Sequence, residues 1–396
     1  MTDATLVFNP SSYEVHEDPF PFYRRMQDEA PLYHNPDIGF WALTRFDDVI
    51  AGLADWSSLS SARGTLIEQI QTGNPPPDMM IFHDPPRHEQ LRRLIGRAFT
   101  PSRVAGLEGT IRAMCAKWLD PLIDTGGGDV VADLAGRLPG AVISALLGVP
   151  EADEGKLKAL SDRLLHREDG SLTMPEDGVA AGAELAVFFA ELAEDRRAHP
   201  ADDLISALVQ AEVVADGVSE RLTDEEIIYF CLLLGVAGNE TTAKMIATGS
   251  VVLEAFPDER SRLIEDPTMW QSAVEEMLRF DPPSHYQGRV TTRPIRYHGE
   301  EIPEDSIVLL INGAANRDPR AFPDPDRYVA DRAIERQLAF GHGIHFCLGA
   351  PLARLETRIA LQELLARFPT YEIDHANVKR FHSTNVRGLS QVPFSA

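Results

Sequence analysis

Of the three cysteines in the 396-residue chain, Cys347 has the neighbours that suit chemistry. It stands in Phe340–Gly349, FGHGIHFCLG, with Gly341, Gly343 and Gly349 around it and the run APLARLETRIALQELLARF behind it. Glycines permit positive φ and close backbone approach, so this loop can fold tightly around the sulfur and let a flat ligand lie against it. Amides aimed at the sulfur, and the positive end of a helix starting just after it, favour thiolate over thiol. Pro351 suits the first turn of such a helix. A thiolate held this way serves either as a nucleophile or as a soft ligand to a metal such as haem iron. A lone cysteine is also commonly a small buried apolar residue.

Three further stretches carry groups that can work with it. AGNETT, Ala237 to Thr242, interrupts the apolar run IIYFCLLLGVA. There Gly238 costs a helix about 1 kcal/mol relative to Ala, and the Thr241 hydroxyl can turn to the carbonyl of Ala237. In VEEMLRF, Glu276 and Arg279 are three apart and share a helical face. In HDPPRHEQLRRL, His88 and Arg92 are four apart and share another. Taken singly these read as a kink, a surface pair and surface cations.

Taken together they resemble the cytochrome P450 superfamily, and most of all its soluble bacterial members. Phe340, Gly341, Gly343, His345, Cys347 and Gly349 match all six fixed positions of the haem-ligating signature F-G-x-G-x-H-x-C-x-G, and the other motifs follow in the family's order over nearly the whole chain. The resemblance implies haem b with Cys347 as its axial thiolate and Phe340 as its shield from water. It implies an oxygen groove at Ala237, where Thr241 hydrogen-bonds oxygen and Glu240 relays protons from solvent; many members have Asp at the Glu240 position. It places His88, Arg92, Arg289 and His345 on the haem propionates, and Glu276 and Arg279 in a buried network whose third member is expected at Arg327. Substrate-lining segments correspond to 63–82, 164–187, 233–241, 283–287 and 385–389. Within them Met79, Met80, Leu234, Ala237, Pro283 and Val386 suit a lipophilic ligand, while Tyr286 and Gln287 can anchor a polar group.

The implied reaction is monooxygenation: a thiolate donates electron density to iron and favours O–O cleavage. One oxygen atom enters a C–H bond or an alkene and the other leaves as water. Electrons are expected from a separate ferredoxin or flavodoxin with its NAD(P)H reductase, since no G-x-G-x-x-G unit or iron–sulfur cysteine cluster is fused to the chain. Arg93, Arg97, Arg354 and Arg358 are a candidate docking patch. Two other readings, a peroxide-driven peroxygenase and a haem-thiolate sensor or carrier without turnover, both leave the Glu240–Thr241 pair without a use.

Elements of two kinds must position these residues. From Pro101 to about Glu254 apolar residues recur at spacings of three and four, as in IRAMCAKWLDPLI, GAELAVFFAELAEDRR and DDLISALVQAEV, which predicts a helix-rich body. Asp224 to Glu254, capped by Thr223, reads as one long helix through the core. Strand-like alternation marks LYHNPDIGFWALTR, RVTTRPIRYHGEEIP and SIVLLIN. The fold class is therefore mainly α with smaller β-sheets, expected as one unit over 1–396. Its β-rich parts lie near 31–45 and 287–312 with a C-terminal hairpin, and its helical body near 87–280 and 348–368. NRDPRAFPDPDRYVADRAIERQLA is too long for a simple connection and reads as an ordered functional loop, and the GGG tract at 126–128 as a loop.

Composition removes other classes. Asp and Glu number 61 against 37 Lys and Arg, a net charge of −24, which argues against nucleic acid or an anionic membrane as principal partner. Cys115, Cys231 and Cys347 are too far apart for a zinc clip or CxxC pair and fit a reducing cytoplasm. The start, MTDATLVFNPSSYEVHEDPF, lacks a signal-peptide layout, and the longest apolar run, Ile227 to Ala237, falls short of the roughly 20 residues that span a bilayer. A cytoplasmic protein without a membrane anchor is expected.

Overall fold

The computed structural model describes residues 6–215 and 218–396. Its principal helices, in chain order, are α1 (Ile67–Gln71), α2 (Arg87–Ile95), α3 (Glu108–Thr125), α4 (Leu138–Leu147), α5 (Glu154–Leu165), α6 (Glu176–Ala198), α7 (Asp224–Ala255), α8 (Trp270–Phe280) and α9 (Ala350–Arg367). A five-stranded sheet is built from β1 (Leu32–Asn35), β2 (Phe40–Leu43), β3 (Leu59–Ser60), β4 (Gln287–Thr291) and β5 (Ile307–Leu310), in the order β1-β2-β5-β4-β3. Only β2 and β5 run parallel; the other neighbours are antiparallel. A hairpin of β6 (Lys379–Phe381) and β7 (Gly388–Gln391) lies apart from this sheet.

The long helix α7 begins where the sequence places it. Thr223 Oγ1 accepts from the Glu226 amide at 3.1 Å and the Glu226 carboxylate accepts from the Thr223 amide at 2.9 Å, a closed capping box. Asp224, Glu225 and Glu226 add negative charge at the positive end of the helix. Close packing fixes its course: a Cβ on Gly235 would lie 3.0 Å from Phe189 of α6, and one on Gly249 would lie 2.8 Å from Leu361 of α9. Side chains of α3 to α9 merge around α7 in one apolar core, while the sheet has two smaller clusters of its own.

Two local expectations give way. The helix expected through DDLISALVQAEV ends at Val209, and Glu212–Ala215 pairs with Val218–Arg221 as a hairpin. The β-branched pair Val213–Val214 ahead of an Asp-Gly dipeptide is a hairpin signal that the three-and-four spacing obscured. The GGG tract is more than a loop, since Gly127–Asp129 pairs with Pro393–Ser395. Gly127 has φ +154°, and a Cβ there would stand 2.3 Å from the Phe394 carbonyl oxygen, so only glycine fits.

The irregular stretch 316–342 is organised by a buried ion network. Glu276 and Arg279 of α8 are fully buried and doubly paired, Nε to Oε2 at 2.6 Å and Nη2 to Oε1 at 2.8 Å. Arg279 also donates to the carbonyls of Asn316 and Pro325, each at 2.9 Å, and of Arg327 at 3.3 Å. The third charged member is Arg332, whose Nε meets Glu276 Oε1 at 2.9 Å. Arg327, expected in that place, contributes only its backbone carbonyl, which accepts from both Arg279 and Arg332. The Arg327 amide closes a turn with Asp324 while its side chain stays exposed, and five residues later the chain returns toward Glu276. Arg279→Met, which leaves Glu276 charged in the interior, is expected to cost about 3 to 5 kcal/mol in urea unfolding. Arg327→Ala should cost about 0.5 kcal/mol or less.

Candidate active site

A cavity of about 270 Å³ lies between α7 and the cysteine loop. Of the residues singled out in the sequence, Cys347, Phe340, His345, Gly349, Thr241, Ala237, His88, Arg92, Arg289, Met80, Leu234 and Pro283 all line it. Residues up to 269 positions apart in the chain therefore face one space.

The loop is shaped by its glycines at two positions. Gly341 and Gly343 have φ +70° and +71°, and a Cβ on Gly343 would approach the Leu53 carbonyl oxygen at 2.8 Å. Gly349 does not need positive φ; it precedes α9 with φ −79° and opens on the cavity with nothing within 4 Å of a built Cβ. The Cys347 amide donates to the Phe340 carbonyl at 2.9 Å, which closes the loop on itself. Cys347 is exposed, and it is on the cavity that it opens. Burial raises the Cys347 pKa, opposed by the Gly349 amide, by Arg92 and Arg354, and by the Ala350 amide. Phe340 lies beneath the Arg354 guanidinium at 4.5 Å and edge-on to Phe346.

On α7, Thr241 Oγ1 donates to the Ala237 carbonyl at 2.9 Å, as expected from the sequence. Glu240 does not face the cavity. Successive residues on a helix diverge by about 100°, and Glu240 turns into the protein, where Lys244 Nζ lies 3.0 Å from its Oε2. Lys244 is itself buried over the Phe381 ring at 4.2 Å. Burial raises the Glu240 pKa against the opposing pull of Lys244, and Asp162 of α5 raises it further.

A group of basic side chains shares the wall beside the cysteine loop. His88 is buried, 4.2 Å from the His345 ring, and neither of its ring nitrogens has a hydrogen-bond partner among the described residues. Its pKa is lowered to about 4 by burial and then by Arg92. Arg289 is buried and its one hydrogen bond among the described residues goes to the neighbouring Gly288 carbonyl at 2.7 Å; burial lowers its pKa to about 10. Arg92 donates to the Phe346 carbonyl at 2.6 Å, and His345 Nε2 lies 3.1 Å from Ser61 Oγ. Buried donors without anions call for an anionic ligand, and the two carboxylates of a haem edge fit them. Among the described residues no group of three or more His, Cys, Asp or Glu side chains can hold a metal ion.

Comparison with known proteins decides the family. The family model described as "Cytochrome P450" matches residues 180–394. A putative cytochrome P450 of Mycobacterium tuberculosis is 42% identical over 99% of this chain and 98% of its own length. The chain belongs to the cytochrome P450 family. The vitamin D(3) 25-hydroxylase of Pseudonocardia autotrophica is 38% identical to this P450 over 95% of the chain and 93% of its own length. The solved structure of the Bacillus subtilis bacillaene polyketide synthase P450 PksS superposes with a TM-score of 0.88 at 33% identity, covering 98% of this chain and 99% of that one. Haem-thiolate iron binding and monooxygenase activity come with the family, and the fold is the P450 fold. Among the described residues no helix is long and apolar enough to cross a membrane.

Several expected residues stand elsewhere. Met79 packs into the helical core, because the turn Met80–Phe82 directs Met80 alone of the two into the cavity. Tyr286 points away from its neighbour Gln287 and is buried with Phe8, Tyr23 and Ile67. Val386 bridges to Ser284 but lines a separate space of about 20 Å³. In the candidate docking patch, Arg354 is paired with Glu275 and Arg358 with Glu108, Arg93 is exposed, and the side chain of Arg97 lies outside the described residues.

The sequence reading missed Glu356, on the cavity wall with Oε2 unpartnered and a pKa raised from 4.5 to about 8 by burial. A signal for it existed: Leu352, Leu355, Glu356 and Ile359 share one apolar face of α9. Because the folded state holds this proton and the unfolded state does not, stability should fall as pH rises from about 4.5 to about 8. Glu356→Gln is expected to flatten that slope by up to about 1.4 kcal/mol per pH unit, measured by urea denaturation across the range.

Proposed function

We propose that this P450, as one unit spanning 1–396 in the cytoplasm, hydroxylates or epoxidises a lipophilic small molecule with O2 and two electrons from a separate ferredoxin or flavodoxin served by an NAD(P)H reductase. The observation that carries the reading is the convergence of Cys347, Thr241 and the basic side chains of His88, Arg92, Arg289 and His345 on one cavity. Cys347 is the residue that would hold the iron of haem b. His88, Arg92, Arg289 and His345 would hold its propionates, with Phe340 and Gly349 beside the ring. Bound there, a haem-thiolate supplies O2 activation and atom transfer to an unactivated carbon.

The chain's own groups do the rest. Thr241 presents its hydroxyl at the cavity face of α7, where it can hold water and pass a proton inward; its tie to Ala237 keeps that hydroxyl at the weakened turn near Gly238. Glu240, protonated more readily than an ordinary carboxylate, sits one residue away on the protein side of the same turn, next to Lys244 and the half-exposed Asp162. That arrangement supplies protons from the α5 side of the protein. Met80, Leu234, Ala237 and Pro283 exclude water and favour an apolar ligand. Gln287 Nε2 donates to Ser284 Oγ at 2.9 Å, and both line the cavity, so this pair can turn to a single hydroxyl or carbonyl on the substrate. The vitamin D(3) hydroxylase among the relatives supports a lipophilic substrate class. The exposed Arg93, one residue along α2 from the cavity-lining Arg92, offers an acidic electron carrier its place to dock.

Reduced protein under carbon monoxide should show the strongly red-shifted Soret band of thiolate-ligated haem, and Cys347→Ala should abolish it. Pure protein without a haem spectrum would end this reading. With surrogate ferredoxin and reductase, Thr241→Ala should keep oxidising NAD(P)H while yielding peroxide in place of product; full coupling in that variant would remove Thr241 from proton delivery.

A further inference from the structure

Three of the segments expected around the cavity, 63–82, 164–187 and 385–389, meet at a place the sequence did not mark. Arg167 follows the last residue of α5 by two positions, and its Nη2 lies 3.2 Å from Oε1 of Glu68 in α1. The two side chains are 3% and 4% exposed. Thr384 Oγ1, just before the third segment, donates to the same Glu68 oxygen at 2.9 Å. Arg167 Nη1 is spent on the carbonyls of Leu164 and His166, at 3.0 and 2.8 Å. Its amide donates to the His382 carbonyl at 3.1 Å, and its own carbonyl accepts from the Tyr13 hydroxyl at 3.0 Å. Arg167 thus ties together α1, the end of α5, the loop between β6 and β7 and the N-terminal segment.

These tied pieces lead directly to the cavity wall. Beyond α1 the chain reaches Met80 and Ile81; beyond Thr384, Val386 bridges to Ser284; all three of Met80, Ile81 and Ser284 line the cavity. An ion pair at this depth is a poor device for stability, since well-packed apolar residues serve as well or better. What it offers is two sustainable arrangements. Together, the charges are dry and paired; parted, each is rehydrated, so the segments can separate without exposing an apolar seam. Glu68 Oε2, buried and without a hydrogen bond among the described residues, and the buried Tyr286 hydroxyl stand beside the pair, and the Glu68 oxygen would gain partners when water enters.

We propose that Arg167 and Glu68 are a positioning pair that holds these segments closed over the cavity and thereby sets how fast ligand enters and leaves it. The proposal rests on the assignment of that cavity as the haem and substrate site. The test uses the haem-loaded protein and 4-phenylimidazole, an azole whose nitrogen binds ferric haem and shifts its Soret band, in stopped-flow mixing. Glu68→Gln and Arg167→Met are each expected to raise the association and dissociation rates together by roughly tenfold, and the double variant Glu68→Leu/Arg167→Met to go no further than either single one. Arg167→Lys should recover part of the slow exchange. Hydrogen exchange should quicken in 60–85 and 160–175 and not in α9, with the carbon monoxide spectrum unchanged. Rates within about twofold of the parent, or exchange that quickens throughout the chain with a fall in Tm, would overturn the proposal and leave the pair structural. A haem-loaded parent protein that gives no azole shift would instead overturn the cavity assignment beneath it.

Discussion

One guanidinium with no contact to solvent organises the irregular stretch that leads to the cysteine loop. Arg279 draws in the carbonyls of Asn316, Pro325 and Arg327 while its charge is met by Glu276. Each of those carbonyls belongs to a stretch without regular structure, where no helix or sheet ladder supplies a partner. The order passes onward through short links. Asn316 accepts from the Leu338 amide at 2.7 Å, the Leu338 carbonyl accepts from Gly341, and the Phe340 carbonyl accepts from Cys347. A side chain on α8 thereby fixes the place of a sulfur that it never touches.

The cavity's chemistry follows from a different economy of charge. The chain as a whole is strongly acidic, yet the wall near the cysteine loop gathers His88, Arg92, Arg289 and His345, with Asp84 the acidic side chain that acts on Arg289 and His88. Such a surplus is tolerable only where an anion completes it. On the opposite side, Thr241 faces the cavity and Glu240 faces the protein, so the two neighbours divide between them the cavity and the protein interior.

Much of this was readable in the sequence, and the limits have physical causes. Spacing of three and four, the Thr223 cap and the Cys347 motif located α7, α9 and the loop, because each depends on residues close together in the chain. The pairing of Glu276 and Arg279 was likewise local, but the choice of Arg332 over Arg327 depended on how a loop of turns returns to α8. Tyr286 and Val386 show the same limit. In an extended chain a residue's face reverses at each step, so placing a segment at the cavity does not say which of its side chains enters. Arg167 and Glu68, nearly a hundred positions apart, have no local signature; nothing but the folded chain pairs them.

The glycine at 127 bears on how the molecule is assembled. Its strand, Gly127–Asp129, follows α3 directly, yet its partner is Pro393–Ser395, so most of the helical body and the whole five-stranded sheet's later half lie between the two. On a ribosome, residues 127–129 emerge long before anything exists for them to pair with, and the tight approach to the Phe394 carbonyl leaves no room for a substitute side chain to hold the place. This seam therefore belongs to the slow, non-local class of contacts that forms after the helices have packed. Closing it converts a stack of helices made in sequence into a ring whose early and late parts are fastened to each other.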